Sequence, residues 1–259
     1  MFLSRRATQA EYFDLPTRTP SEVAAAFGEL ARVNRIFWFA ESFQRYIPRA
    51  LGRDRCRSLS LLDLGAGDGS LGRVLSQWSA KRGWAWEVTS LDINPLALQL
   101  NRAGNNVVGS ATALPFRDGS FDVVIASQMT HHLIRDEEVC QHFREAWRVT
   151  RDLLLLNDVH RNVAIYFVLG CVLHLFKFSK ELRSDGLLSV ERGWRVHEWQ
   201  RLARRAGIQE AEVFLYFGAR ILLRARRGAL QQPLAAGLDR PELKSQSFTP
   251  APLAESSAR

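Results

Sequence analysis

The segment Asp63-Leu64-Gly65-Ala66-Gly67-Asp68-Gly69 sets three glycines at alternate positions among acidic side chains, directly after a largely apolar run beginning at Leu59. Glycines let a backbone approach a ligand closely and adopt positive φ. A strand that hands over to a helix is also where an open α/β sheet binds its ligands. Asp92 ends the next strand-like run, WEVTSLD, and is placed to accept hydrogen bonds from two ribose hydroxyls, because that strand tip faces the same crevice. Together these residues describe a nucleoside-binding site. Farther along, His131 and His132, and then Asp158 and His160, follow two more strand-like runs and are the candidates for moving a proton. Each has a plainer use. A His pair at a strand end can cap a helix or fill a polar pocket, Asp158 with Asn157 can satisfy backbone groups at a turn, and Asp68 and Asp136 can be helix-start residues.

The glycine spacing separates two kinds of nucleoside site. A G-x-G-x-x-G match exists at Gly67, Gly69 and Gly72, but it begins late relative to the strand, whereas a dinucleotide fingerprint begins at the strand's end. Read from Gly65, the pattern is G-x-G-x-G preceded by Asp63, and Ser70 occupies the slot a third dinucleotide glycine would need. The pyrophosphate signal is therefore weak.

Several elements must position these residues. Thr19-Pro20-Ser21-Glu22 is a helix-start signal with a capping residue, a proline at the first helical position and a capping-box acid, so residues 1–57 read as a helical cap. LGRVLSQWSAKRG reads as a helix closed by Gly83, and Pro95 opens another after Asp92. VVGSATALPF and FDVVIASQMTHHL supply strands, DEEVCQHFREAWRVT a helix with acids at its favourable end, and RDLLLLNDVH a further buried strand. Strands alternating with helical patterns predict a doubly wound, mostly parallel sheet. VHEWQRLARRAGI predicts a helix ending at Gly207, and AEVFLYFGARILLRARR two strands meeting near Gly218, for seven strands in all over residues 58–228. The tail 229–259, rich in Pro and Ser, reads as disordered.

An apolar insertion at 160–190 interrupts that plan. From Val163 to Phe176 no residue carries a formal charge, and only Gly170 and His174 fall outside the hydrophobic class. A membrane span needs about 20 residues. The segment therefore reads as a buried or pocket-lining helix in preference to an interfacial membrane anchor.

Composition excludes several classes. With 259 residues, 46% hydrophobic and 24% charged, the chain is neither disordered nor collagen-like. The net charge of +8 comes from 35 Lys plus Arg, of which only four are Lys, scattered from end to end. A nucleic-acid protein gathers such charges on one stripe with aromatics between them, so no nucleic-acid partner is expected. Cys56, Cys140 and Cys171 form no Cys-x-x-Cys pair, which suggests neither a metal site nor disulfides and points to a reducing cytoplasm. The first residues do not read as a signal peptide.

The motif LLDLGAGDG, the acidic tip Asp92, the segment GSATALPF, the strand FDVVIASQMTHHL and the helix EAWRV before a fifth strand, in this order over roughly residues 58–160, resemble the class I S-adenosylmethionine-dependent methyltransferases. That resemblance implies a Rossmann-like seven-stranded fold with S-adenosylmethionine as cofactor. It implies that Asp63, Gly65, Ala66, Gly67, Asp68 and Gly69 hold the amino acid part, that Asp92 holds the ribose, and that Ile93 packs on the adenine. Ala111 would lie at the adenine edge, and Ser127 would border the cofactor. One departure stands out: Ser110 replaces the acid that many relatives present to the adenine amino group, and a charge-assisted bond is roughly twice as strong as a neutral one.

ARVNRIF, LNDVHRN and EWQRLARRAGI further resemble bacterial small-molecule O-methyltransferases found beside type III polyketide synthases. The expectation is methyl transfer to a hydroxyl oxygen of a small lipophilic, phenolic or polyketide-derived acceptor, with peripheral membrane contact as a further use of the basic charge. C-methylation of a quinone-like ring, a nicotinamide-dependent oxidoreductase and a non-catalytic partner protein are the alternatives, and the oligomeric state is open.

Overall fold

The computed structural model describes residues 3–14, 18–102 and 104–228, so the expectation for the tail 229–259 lies outside the described residues. Residues 3–14 carry no helix beyond one short 3-10 turn at Tyr12–Asp14, which corrects the helical reading of the first residues. α1 (Pro20–Ile36) starts where the capping box predicts: Glu22 N donates to Thr19 Oγ1 at 3.3 Å and Thr19 N to Glu22 Oε2 at 2.7 Å. α2 (Glu41–Leu51) follows.

The strands are β1 (Ser58–Leu64), β2 (Ala85–Asp92), β3 (Asn105–Val108), β4 (Phe121–Ser127), β5 (Thr150–Val159), β6 (Glu212–Tyr216) and β7 (Arg220–Arg226). They form one seven-stranded sheet in the order β3-β2-β1-β4-β5-β7-β6, parallel except for β7, which runs antiparallel to both neighbours. This is the doubly wound, Rossmann-like arrangement expected. Between the strands lie α3 (Ser70–Ala80), α4 (Pro95–Gln99), α5 (Asp136–Val149), α6 (Val163–Leu175), α7 (Lys180–Arg192) and α8 (Val196–Arg205).

Side chains alternate across a strand, and the two cores show it. Leu62 and Leu64 of β1 and Leu154 and Leu156 of β5 pack with Phe143 of α5 and Trp199 of α8. Leu59 and Leu61, with Leu153 and Leu155, pack on the other face with Phe43 and Ile47 of α2 and Leu75 of α3. A sheet buried on both faces holds its strand ends rigidly, and the order reverses between β1 and β4, which opens the crevice at their carboxyl ends.

α6 departs from expectation. Leu173 alone among its residues is buried, while Phe167 is 62% and Leu175 76% exposed. Its inner side meets α7, where Gly170 and Gly186 lie against Leu187 and Leu173. The reading of this helix as buried is thereby corrected: hydrophobicity all round signals burial in general, and here one face is covered and the other is open.

Candidate active site

The turn after β1 is built as its composition requires. Gly65, Gly67 and Gly69 all have positive φ (+68°, +56° and +71°). A side chain at Gly65 would strike Met129, one at Gly67 would strike Phe27 of α1, and one at Gly69 would strike Asn101. The turn is thus closed in by Phe27 and Met129. Nothing in the sequence signals either contact, since Phe27 is 40 residues away in the chain.

Asp92 ties β2 to this turn. Its Oδ2 accepts from Gly67 N at 2.8 Å and its Oδ1 from Asn94 N at 2.8 Å, while Gly65 N and Ala66 N donate to Leu91 O. Asp63 is fully buried, and its Oδ2 has no partner among the described residues. Burial, reinforced by Asp92 and Asp68, raises its pKa to about 8. Asp68 is already committed: Oδ1 accepts from Ser70 N at 3.0 Å and Oδ2 pairs with Arg73 at 3.0 Å. It therefore serves as a helix-start residue. Among the described residues no cation forms a salt bridge with Asp63 or Asp92.

Ile93 is 73% exposed beside Asp92. Ser110 Oγ pairs with Thr112 Oγ1 at 2.8 Å, and Ala111 O lies 3.4 Å from His142 Nδ1. His142 is buried with Nε2 unpartnered, and burial lowers its pKa to about 4. Ser127 Oγ donates to Asn157 Oδ1 at 2.9 Å, and Asn157 Nδ2 donates to Ser42 Oγ of α2 at 3.1 Å, so Asn157 holds the tips of β4 and β5 to α2.

The four proton-transfer candidates separate cleanly. His131 Nδ1 lies 2.6 Å from Asp158 Oδ1, its backbone N–H donates to Asp158 Oδ2 at 2.8 Å, and its Nε2 lies 3.5 Å from Glu11 Oε1. Burial pulls the imidazole down, but Asp158 and Glu11 outweigh it and lift the pKa to about 10. A cationic imidazole between two carboxylates cannot accept a proton. Asp158, fully buried, is spent on His131 and on Val159 N at 2.7 Å. His132 Nδ1 pairs with Asp14 Oδ2 at 3.0 Å.

His160 differs from all three. Its Nδ1 lies 3.1 Å from Gly218 O, an acceptor only, so Nδ1 carries the hydrogen and Nε2 the lone pair. Burial lowers its pKa, with Arg195 and Arg161 adding to the effect against the bond to Gly218. His160 also lines a cleft of about 400 Å³ with Leu3, Asn162, Val163 and Arg195.

An N-terminal strap with no sequence signal fixes this loop. Arg6 donates to the carbonyls of His131, Leu133, Ile134 and Arg192 and stacks 3.4 Å over Trp194. Glu11, His131 and His132 offer ligand atoms within 4.8 Å of one another, the one such group among the described residues. Arg192 Nη1 stands 3.5 Å from Glu11 Oε1 and 3.1 Å from Asp14 Oδ2, so a fixed cation already neutralises that cluster.

Comparison with known proteins agrees with this geometry. Residues 62–153 match the family model described as "Methyltransferase domain". A S-adenosylmethionine-dependent methyltransferase from Aquifex aeolicus superposes with a TM-score of 0.54 at 16% identity, covering 81% of this chain and 99% of that one. A Thermotoga maritima S-adenosylmethionine-dependent methyltransferase, a possible histamine N-methyltransferase, gives 0.53 at 16% identity, covering 79% and 98%. No curated protein matches the sequence. Residues 62–153 are thus similar to a methyltransferase domain, and the chain shares its fold with S-adenosylmethionine-dependent methyltransferases. Among the described residues no helix is long and apolar enough to cross a membrane.

Proposed function

We propose that this protein transfers a methyl group from S-adenosylmethionine to the hydroxyl oxygen of a small lipophilic, phenolic acceptor, with His160 as the general base. The observation that carries the cofactor half is the unpartnered, buried Oδ2 of Asp63 in a crevice where neither Asp63 nor Asp92 is paired with a cation. Such a crevice suits a ligand bearing positive charge. It suits a pyrophosphate poorly, because Gly67 N–H is already given to Asp92 and Asp68 occupies the start of α3, where a phosphate would sit.

The residues present fit the cofactor. Asp63 would hold the ammonium group, Asp92 would receive the ribose hydroxyls on the lone pairs left by Gly67 and Asn94, and the Ile93 side chain would cover the adenine. Gly65, Ala66, Gly67 and Gly69 would line the amino acid part, with Ser110, Ala111 and Ser127 at the far edge. S-adenosylmethionine supplies an electrophilic methyl on a sulfonium. The chain's own residues would orient the acceptor and remove its proton: His160 Nε2 would take the hydroxyl hydrogen and so raise the nucleophilicity of the acceptor oxygen. His131, held cationic by Asp158 and Glu11, fixes the loop after β4. The cleft beside His160 gives the acceptor apolar contact at Leu3 and Val163 and polar contact at Ser4, Asn162, Arg161 and Arg195, so the lipophilic character of the acceptor rests on the exposed apolar face of α6 that begins at Val163.

Titration calorimetry with S-adenosylmethionine and with NADH tests the cofactor. Binding of the first and not of the second is expected; the reverse overturns the reading in favour of an oxidoreductase. Methyl transfer to a panel of phenols, followed by mass spectrometry, separates an enzyme from a protein that binds without turnover.

Asp92→Ala is expected to weaken cofactor binding by at least roughly tenfold, because it removes the ribose contact and strands the N–H groups of Gly67 and Asn94. Unchanged affinity would remove Asp92 from the site.

A further inference from the structure

The open face of α6 is an apolar stripe. Val163, Phe167, Cys171 and Leu175 recur along it at intervals of four, flanked by Val168 and Phe176, all exposed. At 1.5 Å rise per residue the helix is about 20 Å long. Surface helices ordinarily turn charged side chains outward, and this one presents none. A single exposed apolar residue needs no explanation, but a contiguous apolar patch rimmed by polar groups marks an interaction surface.

The rim is basic. The segment Phe176 to Arg183 that ends α6 and opens α7 carries Lys177, Lys180 and Arg183 against one acid, Glu181. Arg32 of α1 joins it, donating to Phe176 O at 3.4 Å and stacking on Phe178. Arg183 reaches His174 Nδ1 at 3.0 Å, and the nearby Glu29 is spent on Ser179. Trp38 extends the patch: it is 75% exposed, and its neighbours Phe37 and Phe39 pack with Leu169 and Leu173 of α6 in one cluster.

We infer that this face docks on an anionic lipid surface, with the α6 stripe and Trp38 entering the interface and Arg32, Lys177, Lys180 and Arg183 meeting the headgroups. The two halves of the patch match the two halves of such a surface, since apolar burial and attraction to anionic lipid together set the strength of interfacial binding. A second copy of the chain matches less well, because it would bring two positive rims into one contact with Glu181 as the one acid of the segment to oppose them. α6 starts directly after β5, and Val163 at the head of the stripe also lines the cleft beside His160. The inference stands on the surface alone and does not depend on methyl transfer.

Sedimentation of the full chain with vesicles tests it without cofactor or acceptor. Binding is expected to equimolar phosphatidylcholine and phosphatidylglycerol and not to phosphatidylcholine alone, weakening as salt rises. F167S/V168S and K177E/K180E are each expected to lower vesicle affinity by roughly tenfold or more with unchanged melting temperature. Leu175→Ser, at the exposed far end of the stripe, provides the same test should the double serine variant fail to fold. No sedimentation of the parent chain overturns the inference, as does full binding by the serine variants, which would reduce the effect to bulk charge. A parent dimer that F167S/V168S converts to monomer in light scattering overturns it too, and gives the face to a second copy.

Discussion

His160→Gln is expected to lower kcat for a weakly acidic phenol by roughly 10² to 10⁴, the usual worth of a positioned base, with cofactor affinity unchanged. Glutamine keeps an N–H for Gly218 O, so the loop after β5 retains its anchor while the basic nitrogen is lost. The pH profile follows from the same geometry. His160 must be neutral to act, and burial holds its pKa below the ordinary value, so activity of the parent enzyme falls on acidification below the usual imidazole range. The variant should lose that acid limb. An acceptor acidic enough to be ionised at neutral pH needs no base, and for it the variant's deficit should nearly vanish. Equal losses for both acceptors would assign His160 a structural part, and an undiminished rate would remove it from the reaction.

The choice among four candidate proton carriers shows where sequence reasoning stops. His131, His132, Asp158 and His160 all sit at carboxyl ends of strands, as the apolar runs before them predict. What distinguishes them is charge state, and that is set by groups remote in the chain. His131 is cationic because Glu11 and Asp158 converge on it across 120 and 27 residues. His160 is kept neutral by its own burial and by Arg195 and Arg161, against the carbonyl of Gly218, which fixes its tautomer from a turn the sequence does locate. Residue types thus gave the candidates, and only tertiary contacts gave their roles.

The fold was more legible because its signals are local. The apolar runs of β1 and β5, the capping box at Thr19 and the glycine turn each depend on residues within a few positions of one another. α6 shows the limit of the same logic. Composition identifies a helix apolar on all sides, but whether its outer face is covered depends on what else the chain places there, and here α7 covers one side only.

Asp63→Asn separates stability from binding, because the two should move in opposite directions. In the cofactor-free protein the buried carboxyl has its pKa raised to about 8, so folding favours the protonated form. A group with a raised folded pKa makes stability fall as pH climbs from the ordinary carboxylate range toward that value. Asparagine cannot ionise, so the variant should lose this decline and melt higher than the parent near pH 8. Cofactor affinity should drop by roughly tenfold to a hundredfold, the equivalent of one charge-assisted hydrogen bond. The parent must release the Asp63 proton to pair with an ammonium at neutral pH, whereas at higher pH the ligand's amino group, with an ordinary pKa near about 8, loses its own proton. Affinity should therefore peak near that pH and fall on both sides. Calorimetry in buffers of different ionisation enthalpy reads this directly: proton release at neutral pH in the parent, none in Asp63→Asn. Proton release that persists in the variant, or an affinity that does not change, would place the ammonium elsewhere and leave the buried carboxyl without a ligand.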